Sequence, residues 1–549
     1  HGCHTDVGVH DIDHAGDEQG DSGLSAGRLV RGVEHGIQHD SGKAETRGGR
    51  PCGFAGCLGH PRHSPILALR NTCLTASPQS VGVTRTDSNR EAMNPADTVA
   101  AAQARVVTVS ADVTGADPMD FLRRARGRAR GFWARADHWM AHAGSLATLA
   151  ANGTAPEGRF GEVQSRARDL FDFSNGDSGH LPAPRFYGGF SFRSDHSPEG
   201  LWSGFPPALF HLPEVELAKT SGQPPRLIAR ALVDPEDGDV DGALARLLAR
   251  TLRLGSILPD ALHPRNAPPT TVPVTRHESE RSEWQAAVEH ALTAIEGGAI
   301  SKVVLARTLD VVAERRLDPI EVVEHLWGAN RGSHVFLFEP EEGRALVGAA
   351  PETITTVSRG SFHATAVAGT VARGETPEEQ RGFADRLLAS EKDATEHRIA
   401  LQDMVARLDS VAYDVTAQAE PHVLTLARIQ HLETDIRARL TEGTSALSVL
   451  EALHPTPAVC GLPRDAALEF LEREEPFERG WYAGPVGWFD VEGNGVLAPA
   501  LRCAVVQDRR WRLFAGAGIV AGSDPSLEWE ETTMKFEPVL RALAESGAR

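Results

Sequence analysis

The stretch that most constrains the fold runs from Gly516 to Phe536, where a glycine-rich segment passes directly into an amphipathic helix. Asp524 and Pro525 are typical of an N-cap and a first helical residue, so the helix is predicted to begin there. With that start, three charged side chains project from one helix face: Glu528, Glu531 and Lys535. The preceding glycines leave backbone N–H groups free to approach an anion at the helix N-terminus. A capped surface helix is the simpler interpretation.

Composition sets the broad class of the protein. The chain has 549 residues, of which 41% are hydrophobic and 24% charged, as is ordinary for a soluble globular protein with two or more lobes. No apolar run approaches the ~20 residues that span a bilayer, so no membrane partner is expected. Cys460 and Cys503 are predicted to be reduced thiols of a cytoplasmic protein. We also expect a monomer.

Nucleic acid is not an expected partner, because the formal net charge is −19. Six arginines do crowd residues 119–136. We interpret them as a solvated helix face rather than an RNA-binding arm, since no stacking platform of aromatic residues lies nearby.

The first 92 residues differ in composition from the rest of the chain. The first methionine is Met93, and eight of the 23 histidines precede it. We predict that residues 1–92 are a non-native or disordered extension, that 93–275 form an N-terminal lobe, and that 276–549 form a second region. The alternative for the extension is a zinc site, whose candidate ligands are Cys52, Cys57, His60 and His63.

Two ionisable residues interrupt apolar strand patterns. Lys302 lies inside the β-branched run 300–309, which is predicted to be a strand. An edge-strand or snorkelling lysine is the simpler interpretation, whereas a partly desolvated lysine has a lowered pKa and can act as a base. Pro351 ends a second predicted strand and leaves Glu352 at a turn between apolar neighbours. A carboxyl group in such a place has a raised pKa and can act as a general acid.

A second acidic pair lies within residues 377–411, which are predicted to form one long helix. Asp393 and Glu396 fall at i and i+3, so their carboxylates share one face. Two helices that each offer carboxylates at this spacing can supply the hard oxygen ligands that Mg²⁺ prefers. The sequence therefore favours a Mg²⁺ site.

Six separated segments resemble the chorismate-utilising enzymes, the family of isochorismate, anthranilate, salicylate and aminodeoxychorismate synthases. They follow one another in the order of the family and are 301–307, 348–352, 390–397, 453–461, 478–487 and 516–536. The resemblance covers residues 280–549 densely and the lobe from about residue 130 more loosely, and it implies that 276–549 form the chorismate-binding catalytic region. It implies an α+β fold in which two antiparallel sheets pack face to face with helices outside.

The resemblance also implies a role for each candidate residue. Lys302 would be the base that activates water for attack at ring carbon C2 of chorismate, and Glu352 the acid that protonates the departing C4 hydroxyl. Four carboxylates would hold Mg²⁺ against the ring carboxylate: Glu396, Glu531, Asp393 and Glu528. The substrate would lie against Arg502, Lys535, Gly516, Gly518, His431 and Ala458.

Ala458 bears on which reaction the resemblance implies. Members that eliminate pyruvate or use ammonia typically have threonine at this place, whereas members that stop at isochorismate have alanine. The implied reaction is therefore Mg²⁺-dependent conversion of chorismate to isochorismate, for menaquinone or siderophore biosynthesis. The alternatives are a salicylate-forming or aminating chorismate enzyme and, outside enzymes, an inactive metal-binding homologue. Retention of Lys302, Glu352 and all four carboxylates argues against the last of these.

Overall fold

The computed structural model describes residues 70–72, 105–154, 158–170, 183–233, 240–258, 271–425 and 429–548. These residues belong to one compact unit, Pro65–Arg549. Of the predicted extension, residues 70–72 are described, and the rest of it lies outside the described residues. So do the candidate zinc ligands Cys52, Cys57, His60 and His63.

The strands, in chain order, are β1 (Arg70–Thr72), β2 (Arg105–Asp112), β3 (Arg130–Arg135), β4 (His138–Ala143), β5 (Ala147–Ala151), β6 (Arg185–Phe190), β7 (Ala208–Leu212), β8 (Val215–Lys219), β9 (Arg226–Val233), β10 (Val274–Glu278), β11 (Lys302–Ala313), β12 (His334–Glu341), β13 (Arg344–Ala350), β14 (Thr355–Ser358), β15 (Ser361–Ala372), β16 (Ala412–Ala417), β17 (His422–Thr425), β18 (Ile429–Leu440), β19 (Gly461–Leu462), β20 (Pro485–Asp490), β21 (Gly495–Pro499), β22 (Cys503–Gln507) and β23 (Arg510–Ile519).

The helices are α1 (Pro118–Arg124), α2 (Gly158–Asp169), α3 (Val240–Ile257), α4 (Arg281–Glu296), α5 (Pro319–Ala329), α6 (Pro377–Ala389), α7 (Glu391–Leu408), α8 (Ala446–Leu453), α9 (Arg464–Glu474) and α10 (Pro525–Glu545). Six of these begin at a side chain that accepts a hydrogen bond from a backbone N–H of the first turn, which satisfies donors that the helix itself leaves free. These N-cap residues are Asp117, Asp318, Thr376, Ser390, Ser445 and Asp524.

The described strands form two antiparallel sheets, one of 13 strands and one of 10. The first sheet has the order β1-β2-β9-β8-β4-β3-β12-β13-β22-β23-β11-β10, with β19 beside β11. The second has the order β16-β18-β15-β14-β21-β20-β6-β7-β5, with β17 beside β18. Because β3 lies beside β12 and β6 lies beside β20, both sheets combine strands from before and after residue 275.

The structure has four layers: helices, the first sheet, the second sheet and further helices. An apolar core lies between each layer and the next. The core between the sheets contains Trp133 and Phe336 from the first sheet and Tyr187 and Val486 from the second. Another core lies between the first sheet and helices α1, α3, α5 and α10, and a third lies between the second sheet and helices α2, α7 and α8. The predicted α+β fold, with two packed antiparallel sheets and outer helices, is confirmed.

Two helix predictions were wrong in part. Within residues 119–136, α1 ends at Arg124, and Arg130 lies buried in β3 with its Nε 2.6 Å from Glu339 Oε2. The arginines therefore do not share one solvated helix face. The long helix predicted over 377–411 is divided into α6 and α7, because the chain turns at Ser390 and the Ser390 hydroxyl caps α7. This cap places both predicted carboxylates near the start of α7.

The sequence pattern also predicts one strand over residues 423–432 and another over 496–506, and the structure divides both. The strand predicted over 423–432 is a pair, β17 and β18, whose members lie side by side. The strand predicted over 496–506 breaks where the chain passes from β21 in the second sheet to β22 in the first. Arg502 lies at this break with a φ of 47°, a left-handed conformation that is costly outside glycine. A second crossing between the sheets, from β13 to β14, contains Glu352.

The two cysteines assigned as reduced thiols, Cys460 and Cys503, are buried and unpaired. Among the described residues, no helix combines the length and apolarity needed to cross a membrane.

Candidate active site

All twelve candidate residues line one cleft of roughly 840 Å³, part of which is open to solvent. The cleft includes Glu352 and Arg502, which lie where the chain crosses between the sheets. Helices α7 and α10 supply its acidic side chains, and strand β11 supplies Lys302. The structure thus brings together side chains that are far apart in the sequence; Lys302 and Lys535, for example, are separated by 233 positions. The chemical roles of these residues stay predictions.

Lys302 is buried at the start of β11, which has neighbours along both edges, so the edge-strand interpretation was wrong. Its Nζ lies 2.9 Å from Glu396 Oε1. Gly518 on β23 makes room for this ion pair. A Cβ at position 518 would lie 2.6 Å from Glu396 Oε1 and 3.3 Å from Lys302 Cε, so any larger residue would push the pair apart.

Lysines pair with three of the four carboxylates. Besides the pair between Lys302 and Glu396, Lys392 Nζ lies 3.0 Å from Glu528 Oε1, and Lys535 contacts Glu531. Burial would raise the pKa of Glu396, but Lys302, Lys535 and Lys392 together lower it. The cleft therefore holds both signs of charge at close range.

The acidic cluster has the donor chemistry of a Mg²⁺ site. Burial raises the pKa of Asp393 and of Glu528, and neighbouring carboxylates, Glu396 and Glu531 respectively, raise each further. A divalent cation would relieve this repulsion, and carboxylate oxygens are ligands that Mg²⁺ accepts. In the described part of the chain, no three His, Cys, Asp or Glu side chains converge closely enough to hold a metal ion as they stand. The lysine pairs are consistent with this, because they engage three of the four carboxylates.

Glu352 is buried in the crossing after β13, and its Oε1 has no hydrogen-bond partner among the described residues. Burial raises its pKa to about 8; Lys302 and Arg502 oppose the shift, and Glu433 adds to it. The carboxyl group is therefore mostly protonated at neutral pH. A protonated carboxyl that faces a cleft has the property required of a general acid.

We expect Glu352→Gln to stabilise the protein increasingly as the pH rises. The pKa of Glu352 is raised from 4.5 to about 8 on folding. The stability contributed by its protonated form is therefore fully present below the lower value and is lost as the pH rises through the higher one. Glutamine does not titrate, so the difference in free energy of unfolding between Glu352→Gln and the unmutated protein should grow as the pH rises from 4.5 to about 8. Urea unfolding below, within and above this pH range measures the difference. A difference that stays constant with pH would contradict the prediction.

Arg502 lies in the cleft without a hydrogen bond or ion pair from its guanidinium to any described residue, and only 9% of the residue is exposed. Burial lowers the pKa of Arg502, although Tyr482 and Glu531 oppose the shift. A buried guanidinium that lacks a protein partner is a strong binding point for a carboxylate or phosphate.

The prediction that an anion would bind at the N-terminus of the last helix was wrong. Helix α10 begins at Pro525 as predicted, but Asp524 Oδ1 accepts hydrogen bonds from the N–H groups of Ser526 and Leu527. Gly516 and Gly518 lie earlier, inside strand β23. The side chain of the N-cap has therefore already taken the helix donors that an anion would need.

The backbone of these glycines is nevertheless accessible from the cleft. Opposite them on β11, the N–H of Ala306 bonds to Glu475 and the N–H of Val304 bonds to Cys460 O, away from β23. In an antiparallel pair, opposite residues either bond to each other or both point outward. The N–H groups of Gly516 and Gly518 therefore point away from β11, along an edge that β22 leaves uncovered beyond Leu513.

His431 is buried beside the cleft as a neutral ring. Burial, together with the positive charges of Arg502 and Lys535, lowers its pKa to about 3. Its Nδ1 lies 2.9 Å from Gly369 O, which can only accept, so Nδ1 carries the proton. Nε2 has no partner among the described residues and is left as an acceptor.

Ala458 lies half-buried in the cleft, in the loop between α8 and β19. Arg479 fastens this loop to β11, because its Nη1 lies 2.8 Å from Val459 O and its Nη2 lies 2.6 Å from Val304 O. Glu475 holds the same guanidinium. The methyl group of Ala458 is thus fixed in place and offers no hydrogen bond.

Sequence patterns do not single out Lys392, Thr370 and Tyr482, which also line the cleft. Lys392 adjoins the acidic pair on α7 and Tyr482 lies in a glycine-rich segment, so both belong to segments that carry the family resemblance. Their place depends on contacts between distant residues. Lys392 pairs with Glu528 of another helix, and Tyr482 Oη would lie 2.9 Å from a Cβ at Gly516.

Residues 91–544 match the family of chorismate binding enzymes. The chain belongs to this family. A salicylate biosynthesis isochorismate synthase of Pseudomonas aeruginosa is 35% identical to it, over 66% of this chain and 75% of the relative. The isochorismate synthase MenF of Bacillus subtilis is 33% identical, over 66% of this chain and 74% of the relative.

Solved structures share the fold of this family member. MenF, the menaquinone-specific isochorismate synthase from Escherichia coli, superposes with a TM-score of 0.67 at 24% identity, over 80% of this chain and 95% of its own. Anthranilate synthase component I from Streptococcus pneumoniae superposes with a TM-score of 0.57 at 18% identity, over 84% of this chain and 95% of its own. Both likenesses concern the fold alone.

Proposed function

We propose that this protein is an isochorismate synthase that converts chorismate to isochorismate and depends on Mg²⁺. One observation carries the proposal: a buried lysine and a carboxyl group that is protonated at neutral pH line the same cleft. Such a pair suits the exchange of one hydroxyl for another, since one group takes a proton from water and the other gives a proton to the departing hydroxyl. Relatives that are named isochorismate synthases support this choice of substrate.

Lys302 is the proposed base and Glu352 the proposed acid. Lys302 acts in its neutral amine form, once its ion pair with Glu396 has opened and its extra proton has passed to solvent. Its Nζ then accepts a proton from a water molecule whose oxygen bonds to ring carbon C2. The ring double bonds shift, and the bond between C4 and its hydroxyl oxygen breaks. Glu352 gives its proton to that oxygen, which leaves as water. One water enters and one leaves, so the product is an isomer of the substrate, and return of the proton from Lys302 to Glu352 completes the cycle.

Mg²⁺ enters the proposal through the acidic cluster. Glu396 and Glu531 would hold the cation, and Asp393 and Glu528 would hold its water ligands. When bound, Mg²⁺ supplies positive charge that offsets the ring carboxylate of chorismate. Because Glu396 lies on α7 and Glu531 on α10, both helices must be correctly placed for the site to form.

The remaining cleft residues are proposed to bind the substrate. The guanidinium of Arg502, the ammonium of Lys535 and the N–H groups of Gly516 and Gly518 would bind its carboxylates. His431 Nε2 would accept a hydrogen bond from a hydroxyl. These groups reverse the sign of charge locally, as a dianionic substrate requires in a protein whose net charge is −19.

A turnover assay tests the proposed function. Purified protein given chorismate and MgCl₂ should form isochorismate, separated from chorismate by chromatography, and EDTA should stop the reaction. Unchanged chorismate would favour an inactive metal-binding homologue. Salicylate, or an aminated ring product when ammonium is supplied, would favour the other chorismate enzymes. Full activity in EDTA would refute the Mg²⁺ requirement.

We expect the unmutated protein to release isochorismate without detectable pyruvate, and Ala458→Thr to release measurable pyruvate. The threonine hydroxyl adds a hydrogen-bonding group beside the bound ring, where the methyl group of alanine has none. A lactate-dehydrogenase-coupled assay detects the pyruvate. Ala458→Val is the matched control, because valine has the shape of threonine without its hydroxyl. Equal pyruvate from the valine variant would show that volume, not the hydroxyl, changes the reaction, and stoichiometric pyruvate from the unmutated protein would make it a lyase.

Two further proposals concern the protein as a whole. We propose that it is a cytoplasmic monomer and that it serves menaquinone or siderophore biosynthesis. Strand β1 lies within the range predicted from the sequence to be an extension, residues 1–92, and pairs with β2. A chain that begins at Met93 would therefore also test whether the first sheet tolerates the loss of this strand.

A further inference from the structure

Arg307 is a buried arginine that joins the strand of Lys302 to the helix of Glu531. It lies on β11 with 2% of its surface exposed, on the strand face opposite to Lys302. Its guanidinium reaches α10, where Nε lies 2.7 Å from Thr532 Oγ1 and Nη2 lies 2.7 Å from Thr533 Oγ1. Nη2 also lies 3.3 Å from Trp529 O, and Nη1 contacts Glu278 on β10.

The residues of α10 that Arg307 contacts alternate with residues that line the cleft. Trp529 follows Glu528, while Thr532 and Thr533 follow Glu531. The Trp529 ring lies 3.6 Å from the guanidinium carbon, a close cation–π contact. On α4, Trp284 packs edge-on against Trp529 and donates a hydrogen bond from Nε1 to Pro525 O, at 3.1 Å. The first turns of α10 are therefore held on the side away from the cleft.

We propose that Arg307 is a positioning residue, which sets the rotation of α10 and thereby the place of Glu528, Glu531 and Lys535 in the cleft. Arg307 does not itself line the cleft and acts only through the helix. A guanidinium is a planar fork with donors in fixed directions, so it fixes the two threonine hydroxyls and the Trp529 carbonyl together. A rotation of α10 would separate Glu531 from Glu396 on α7. The inference rests on the Mg²⁺ site of the proposed function.

Arg307→Lys tests this role, because lysine keeps the charge and loses the fork. Calorimetric titration of the protein with MgCl₂ alone should show about tenfold weaker binding, the size of effect typical when a group that orients metal ligands is lost. Thr533→Val removes an exposed hydroxyl that accepts from Arg307, and it should weaken Mg²⁺ binding by a smaller factor. Combining the two should add nothing to Arg307→Lys, since both break the same contact.

Arg130→Lys is the matched control. Arg130 is also 2% exposed, and it pairs with the buried Glu339 in the first sheet without lining the cleft. The Arg130→Lys variant should lower Tm, as Arg307→Lys does, and should leave the affinity for Mg²⁺ unchanged. Unaltered Mg²⁺ affinity in Arg307→Lys, or equal weakening in Arg130→Lys, would overturn the positioning role. If Arg307→Lys does not fold, unaltered affinity in Thr533→Val would overturn it.

The same titration separates this inference from the proposed function. Because Mg²⁺ binding is measured without substrate, a protein that binds Mg²⁺ through α10 but leaves chorismate unchanged would refute the function and keep the positioning role. An unmutated protein that binds no Mg²⁺ would overturn the positioning role as stated.

Discussion

Glu352→Gln is expected to lower kcat by about 10²- to 10⁴-fold, the usual contribution of a general acid. In the folded protein, burial raises the pKa of Glu352 to about 8, so its proton is present at neutral pH. Its Oε1 has no hydrogen-bond partner among the described residues, which leaves the carboxyl free to meet a departing hydroxyl. Glutamine has nearly the same shape and no acidic proton. Steady-state consumption of chorismate measures the loss.

The pH profile distinguishes a missing acid from a disturbed cleft. For the unmutated protein, kcat/KM should fall as the pH rises through about 8, because Glu352 then loses its proton. The residual activity of Glu352→Gln should lack this fall. Glu451→Gln is the control, since partial burial also raises the pKa of Glu451, an exposed residue of α8 that does not line the cleft. Near-normal turnover by Glu352→Gln would remove Glu352 from the proposed mechanism.

Lys302→Met is expected to lower kcat by a similar factor of about 10² to 10⁴, because methionine fills the buried space and cannot accept a proton. Mg²⁺ binding should persist. The ammonium of Lys302 lies 2.9 Å from Glu396 and would compete with a cation for that carboxylate. Turnover measured beside calorimetric Mg²⁺ titration therefore separates the lost base from a lost metal.

Lys219→Met is the control for this experiment, because Lys219 is half-buried at the end of β8 and does not line the cleft. It should retain both turnover and Mg²⁺ binding. Two results would count against Lys302 as the base: turnover retained in Lys302→Met, or turnover lost only in proportion to Mg²⁺ binding.

Local patterns in the sequence were sufficient for several features of the site. Asp524 and Pro525 fix the start of α10, and from that start the helical period places Glu528 and Glu531 on one face. Pro351 ends β13 and leaves Glu352 buried with a raised pKa, as expected for a carboxyl between apolar neighbours. Each of these follows from residues within a few positions of one another.

Features that depend on partners far along the chain could not be predicted in this way. The pairing of Lys302 with Glu396 requires the approach of α7 to β11, and Gly518 permits it from a third element. In the sequence, Arg130 is one of six arginines in a basic segment, and nothing near it indicates that it is buried. Its burial depends on Glu339, its partner on β12. The break at Arg502 exists because the chain changes sheets there, which no local period in the sequence records.

The interleaving of early and late strands determines when this protein can fold. Strand β12 lies between β3 and β13, and β20 lies between β6 and β21. Neither sheet can therefore have all of its strands in place until most of the chain has left the ribosome. Until then β3 and β6 each lack one neighbour, and open strand edges invite pairing with other chains. Contacts between residues so far apart in sequence also slow folding. We therefore expect recombinant yield to depend on slow synthesis or chaperones, and a fragment cut at residue 275 to aggregate.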